Sequence, residues 1–318
     1  MITRGEITSI RSPRVKAARQ LAKRSFRQRA RSFLAEGPQA VREALTSREI
    51  PGQAAAPGGA GAGAVGSGPP VVTELFVTGA AWARHAELAE QAAGQGAGVH
   101  TVSGEVMAEL AQTVTPQGVL AVCRFVDVPL ERLVGAAPRL VVLLANVRDP
   151  GNAGTVLRTA DAAGADGVIF SDASVDPYNS KCVRASAGSL FHLPVVVGSP
   201  LRQAAAALSG AGVRILAADG SARLALDQLE ADGGLSGPTA WLFGNEAWGL
   251  PADLLALADV AVAVPIYGRA ESLNLAAAAA VCLYASARAD RSGLRGLSAG
   301  TGVPPGMPDA LEFDHVAS

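Results

Sequence analysis

The segment Leu140–Phe170, LVVLLANVRDPGNAGTVLRTADAAGADGVIF, decides the fold. It opens on the apolar run Leu140–Ala145, which reads as a buried strand. Asp149-Pro150-Gly151-Asn152 is a turn sequence, and Asn152 stands where it can cap a helix over Gly154–Ala163. A second apolar run, Gly167–Phe170, reads as the next strand.

The same alternation continues downstream. Helices are expected over Lys181–Phe191, Leu201–Leu208 and Leu273–Arg288, and strands over Pro194–Val197, Val213–Ala217, Thr239–Phe243 and Val260–Pro265. Alternating strands and helices imply an α/β domain with a mostly parallel sheet covered on both faces. Upstream, residues 1–127 read as a smaller α/β unit. It has a basic helix after Pro13, a helix at Gln39–Leu45 and a strand at Val71–Val77. A helix Ala81–Ala93, a strand Val99–Val102, a helix Gly104–Gln112 and a strand Gly118–Phe125 follow. The uncharged run Ala54–Pro70, AAAPGGAGAGAVGSGPP, reads as a flexible insertion in that unit. Residues 128–139 read as a linker, 140–290 as the second domain, and 291–318 as a disordered tail without periodicity.

Three Gly-, Asn- and Pro-rich pieces follow apolar runs in the second domain. They are Asn146–Arg158, Phe243-Gly-Asn-Glu246 and Pro265–Asn274. Loops at the carboxyl ends of parallel strands are where ligands bind, so three such loops imply one composite site. Arg158, a long cation among small residues, can reach toward a phosphate or carboxylate. Gly244 permits close approach of backbone or ligand, and Glu246 can hold an amine or order an Arg. Ser272 can cap the last helix, whose N–H groups can then hold an anion.

The net charge is −1, so the overall balance says nothing about nucleic acid. Its distribution does: Met1–Arg31 carries Arg4, Arg11, Arg14, Lys16, Arg19, Lys23, Arg24, Arg27, Arg29 and Arg31 against Glu6 alone. The three cysteines, Cys123, Cys182 and Cys282, have no metal spacing and suggest a reduced, cytoplasmic setting. The longest apolar stretch, Leu273–Ala287, is too short to span a bilayer. No G-x-G-x-x-G follows a strand and no P-loop is present. His85, His100, His192 and His315 form no arguable triad. Hydride transfer, nucleotide hydrolysis and zinc chemistry are therefore unsupported.

In order, the three pieces resemble the SpoU (TrmH-type) branch of the SPOUT methyltransferases. The resemblance rests on Asn152-x-Gly154-x-x-x-Arg158, on Gly244-Asn245-Glu246, and on Pro265, Gly268, Ser272, Leu273 and Asn274. The segment Lys181–Phe191, KCVRASAGSLF, is also similar to a family segment. Ile7–Lys16 and Phe33–Gly37 resemble the family's L30e-like substrate-binding domain; the insertion Ala54–Pro70 departs from it.

The resemblance implies an α/β-knot fold with a carboxy-terminal trefoil knot, a homodimer, and transfer of methyl from S-adenosylmethionine to an RNA ribose 2′-hydroxyl without a metal. It implies that Arg158 activates the hydroxyl, with Asn152, Glu246, Ser272 and Asn274 ordering the reacting groups. Leu242, Gly244, Asn245, Val264, Ile266, Gly268 and Leu273 would line the cofactor. Arg11, Arg14, Lys16, Arg19 and Arg184 are the candidate RNA contacts, since cations on phosphates drive such binding. The L30e-like domain favours ribosomal RNA. A transfer RNA substrate, or a non-catalytic RNA-binding or assembly role, stays open at this point.

Overall fold

A computed structural model of the chain describes residues 5–47 and 69–298. Most of the insertion Ala54–Pro70 and all of the segment after residue 298 lie outside the described residues.

The amino-terminal unit is a four-stranded sheet. Its strands are β1 (Ser32–Glu36), β2 (Val72–Thr78), β3 (Gly98–Val102) and β4 (Val119–Arg124). They lie in the order β1-β4-β2-β3, with β4 antiparallel to both neighbours and β2 parallel to β3. The helix Arg24–Ala30 and strand β1 were not read from the sequence; Arg31, at φ 48°, ends that helix and turns the chain into β1. The expected helix Ala81–Ala93 is two helices, Gly79–Arg84 and Ala86–Gly94, because His85 leaves helical geometry at φ −137°, ψ 41°.

The second sheet is wholly parallel. Its strands are β5 (Leu140–Leu144), β6 (Gly167–Ser171), β7 (Val195–Ser199), β8 (Arg214–Ala218), β9 (Leu224–Ala225), β10 (Thr239–Phe243) and β11 (Val260–Ala263). The order is β7-β6-β5-β10-β8-β11-β9. Strands β5, β6 and β10 are buried along their whole length, which is why they read as unbroken apolar runs. The chain leaves β5 toward β6 on one side and leaves β10 toward β11 on the other. The carboxyl ends of β5 and β10 therefore form a topological switch point, where open α/β sheets place their ligands.

The stretch 128–139 is not a free linker. Val128 donates to the Val195 carbonyl at 2.8 Å, and the helix Leu130–Gly135 buries Leu130 and Leu133 against the parallel sheet. The two units also share a core. The Phe125 and Tyr178 rings stack at 3.8 Å, and Phe33 packs on Tyr178 and Phe191. Beside them Arg27 and Asp176, 4% and 8% exposed, form an ion pair at 2.7 Å. Arg27 also donates to the carbonyls of Leu21 and Ala22. It is thus removed from the basic surface that the sequence suggested. Arg31 stays exposed, pairing with Asp127 and lying over the Phe125 ring.

Three further boundaries differ from expectation. The helix over Lys181–Phe191 breaks into Ser180–Ala185 and a short 3-10 turn, because Ala187 and Gly188 take positive φ. Strand β9 and the helix Leu226–Ala231 went unread. The last helix runs Leu275–Ser298, past the point where a disordered tail was expected.

Candidate active site

Loops after β5, β8, β10 and β11 converge at the switch point. The first is shaped by Asn146, at φ 56°, whose carbonyl accepts from Asn245 Nδ2 at 2.7 Å. That bond ties the end of β5 to the end of β10. Gly244 is required there by contact: a Cβ would sit 2.4 Å from the Gly249 carbonyl carbon. Asn245 and Gly249 exchange backbone hydrogen bonds and close the loop on itself.

The helix after β5 begins earlier than the sequence suggested, at Pro150, and runs to Ala163. Its cap is Asp149, which accepts from the Asn152 N–H at 2.8 Å; Asn152 is not the cap. The Lys181 ammonium and then the Asn152 N–H hold the Asp149 carboxyl below the usual carboxylate range. The capping task falls to Asp149, which frees the Asn152 side chain. Its Nδ2 donates to Glu246 Oε1 at 3.1 Å, and its Oδ1 accepts from Asn274 Nδ2 at 3.1 Å. One asparagine thus joins all three motifs.

The last helix is capped by Asn274, not by Ser272. Asn274 Oδ1 accepts from the Ala276 N–H, and its carbonyl accepts from Ala278. Ser272 is exposed in the preceding loop. Gly154 sits where the helix Pro150–Ala163 meets the helix Ser180–Ala185; a Cβ there would lie 2.4 Å from the Cys182 carbonyl oxygen. That contact explains the glycine of the first motif. Arg158 stands on the open stripe of the same helix with Thr155 and Ala162. Among the described residues it has no hydrogen-bond or ion-pair partner.

Beside this cluster lies a cavity of about 540 Å³. Gly244, Asn245, Val264, Ile266 and Leu273 line it, together with Glu246, Ser272 and Asn274. Leu242 does not: it is buried in β10 against the hydrophobic core. Gly268 is also outside the lining, with open space where a Cβ would be. Sequence reading missed Ala218, Asp219 and Gly220, which form one wall. Their signal was available, since they follow the apolar strand β8 at its carboxyl end. The lining combines apolar side chains with loop backbone and a few polar groups, as small-molecule sites do.

The candidate RNA contacts separate. Arg11, Arg14 and Lys16 are exposed on or beside the helix Pro13–Gln20. Arg19 pairs with Glu109. Arg184 pairs with Glu36 at 3.4 Å across the domain junction. All three cysteines are buried, and burial pushes their thiols up, Cys282 to about 12. Among the described residues no cluster of His, Cys, Asp and Glu is arranged for a metal ion. No described helix is long and apolar enough to cross a membrane.

The chain is similar to known proteins in sequence and in fold. Residues 139–284 match the SpoU rRNA Methylase family. Residues 63–129 match an RNA 2′-O ribose methyltransferase substrate-binding domain, and 12–54 an MRM3-like substrate-binding domain. The chain is 33% identical over 282 residues to the 23S rRNA (guanosine(2553)-2′-O)-methyltransferase RlmP of Bacillus subtilis, covering 88% of this chain and 98% of that protein. It is similar in structure to an AdoMet-bound rRNA methyltransferase from Sinorhizobium meliloti, with TM-score 0.74 and 29% identity over 90% of this chain and 98% of that one. It also resembles the SpoU methyltransferase AviRb of Streptomyces viridochromogenes in complex with AdoMet, with TM-score 0.68 and 27% identity over 87% of this chain and 98% of that one. With both regions matched and nearly the full length of these relatives covered, the chain belongs to the SpoU rRNA methylase family.

Proposed function

We propose that the protein is an S-adenosylmethionine-dependent methyltransferase acting on a ribose 2′-hydroxyl of ribosomal RNA. The observation that carries this reading is the hydrogen-bonded series Glu246–Asn152–Asn274 at the rim of the cavity, with Arg158 unpaired on the same helix as Asn152. Similarity to 23S rRNA 2′-O-methyltransferases supports the substrate class.

The cavity suits S-adenosylmethionine in size and lining. Loop backbone from Gly244 and from Val264 to Leu273 would hold its polar groups, and Phe243 and Ile266 its apolar parts. Bound there, the sulfonium supplies an electrophilic methyl group. What remains for the chain is to place and activate a very weak nucleophile. Arg158 stays protonated at neutral pH and cannot be the base. It acts as a charged donor toward the oxygen on which negative charge develops. The hydroxyl proton passes to an RNA phosphate or to water. Glu246 and Asn274 fix the Asn152 amide from both ends, so its helix, and Arg158 with it, is held against the cavity. Ser272, in the cavity lining, would contact the ribose.

The working unit is a homodimer. Trp248, Tyr267, Val281 and Tyr284 are exposed large side chains on the loops and helix around the site, and such side chains mark association surfaces when grouped. The chain is threaded as a trefoil knot, and a ribosomal RNA substrate puts the enzyme in the cytoplasm. The test is transfer of labelled methyl from S-adenosylmethionine to ribosomal and to transfer RNA, with nuclease mapping of the product. Label in a 2′-O-methylnucleoside of ribosomal RNA is expected. Label in a base, or in transfer RNA alone, would refute the reading.

A further inference from the structure

A second cleft, of about 310 Å³, opens at the junction of the two domains on the helix Ser180–Ala185. Its floor is Glu36 and Gly37 and its walls include Thr113, Thr115, Gln117 and Arg184. The Glu36 side chain is 8% exposed, and its carboxylate is already bound by the Gln112 N–H, the Thr113 hydroxyl and Arg184. Gly37, at φ 95°, leaves room for Gln117, whose Oε1 would lie 2.8 Å from a Cβ at that position. These contacts anchor both ends of the loop Ala111–Gly118. Between the anchors Val114 is fully exposed at 103%, and the Thr115 and Gln117 side chains make no hydrogen bond among the described residues. Arg184 spends one N–H on Glu36, and the rest of its donor fork has no partner among the described residues.

Resting on the RNA reading above, we propose that this cleft receives one unpaired nucleotide of the RNA near the methylated ribose. Thr115, Gln117 and Arg184, which line the cleft, meet the edge of its base. Sequence-specific RNA recognition works on such splayed bases, read on their edges and packed on their faces.

Continuity of the surface argues for RNA as the occupant. On one side the loop follows the helix Gly104–Leu110, whose Glu109 holds Arg19 of the basic helix. On the other, Gln112 contacts the Ser180 hydroxyl, and the next residue, Lys181, holds Asp149 at the start of the catalytic helix. Gly154 packs on Ala185, so Arg184 is next in sequence to the contact with the helix that carries Arg158. A strand bound at both ends of this track crosses the cleft.

The test uses the full chain and a 23S rRNA transcript, with binding read by fluorescence anisotropy. Thr115→Ala/Gln117→Ala is expected to weaken binding about tenfold, the range for loss of two hydrogen bonds. The salt dependence and the affinity for S-adenosylmethionine should not change, because neither phosphates nor the cavity are touched. A scan of single abasic nucleotides through the bound segment should find one position that costs the wild type about the same and costs the double variant nothing further. Unchanged affinity of the double variant, a flattened salt dependence, or abasic effects that add to the variant at every position would overturn the proposal. The last two outcomes mean that a backbone runs past the cleft without inserting a base. Binding does not require methyl transfer, so a wild type that transfers no methyl would sink the functional reading and leave the cleft to be judged separately.

Discussion

Gly154→Ala sets two effects of opposite sign against each other. Alanine is the better helix former by about 0.8–1 kcal/mol, so local propensity alone expects stabilisation. The structure expects the reverse. The new methyl would sit 2.4 Å from the Cys182 carbonyl oxygen, 2.7 Å from Ala185 Cβ and 3.0 Å from Ser186 N. Two of those three atoms are backbone, so no side chain can swing away. The first contact is about 1 Å short of ordinary van der Waals distance. The helices Pro150–Ala163 and Ser180–Ala185 must separate by an amount of that order. Overpacking of this kind costs about 1–3 kcal/mol, which exceeds the propensity gain at most of its range. The larger effect is on function. The displaced helix carries Asn152 and Arg158, and misplacement by about 1 Å can cost roughly 10²-fold in rate. Urea denaturation should show a net loss of about 0–2 kcal/mol, while labelled-methyl turnover falls roughly a hundredfold. Gly268→Ala is the control, with open space around its Cβ and no positive φ; its fold stability should hold. A Gly154→Ala enzyme that is more stable than wild type and fully active would refute the reasoning.

Arg158→Ala should lower kcat about 10²–10³-fold with S-adenosylmethionine affinity unchanged by calorimetry, since Arg158 lies outside the cavity lining; near wild-type turnover would remove Arg158 from the mechanism. Asp176→Asn leaves Arg27 buried without its charge partner, and chemical denaturation should register a loss of about 3–5 kcal/mol. His192 is bound by Asp161 of its own domain and by Glu43 across the domain junction. Burial lowers its pKa, but the two carboxylates outweigh burial and the net shift is upward. Its contribution to stability is therefore complete below the ordinary histidine value and is lost as pH rises through the higher folded value. Melting temperature should fall over that window in wild type, and a His192→Gln protein that shows the same fall would refute the assignment. Replacing Arg11, Arg14 and Lys16 by Ala should weaken RNA binding and reduce its salt dependence, with Arg19→Ala adding less because Arg19 is paired with Glu109.

The domain junction also decides how the cofactor site can be studied. A fragment starting near Val128 would expose Tyr178, Phe191 and the Asp176 carboxylate that the first domain covers. Binding measurements belong on the whole chain.

By itself the sequence determined the parallel sheet, because strands buried on both faces leave no polar alternation to confuse them: β5, β6, β8 and β10 lie within a residue of their apolar runs. It also determined the three loops and their family likeness, since Gly, Pro and Asn at fixed spacing are local features. It did not reveal which residue of each loop does what. Asp149 and Asn274 cap the two helices that Asn152 and Ser272 were expected to cap, because several residues in a turn can serve as cap and only the path of the chain selects one. The wall Ala218–Gly220, the burial of Arg27, the packing of residues 128–139 and the cleft at Arg184 are likewise decided by contacts between segments far apart in the chain. Such contacts leave no periodicity, since they depend on which surfaces the folded sheet brings together. Only the tertiary structure could place Asn152 between Glu246 and Asn274, where its side chain joins residues 94 and 122 positions away.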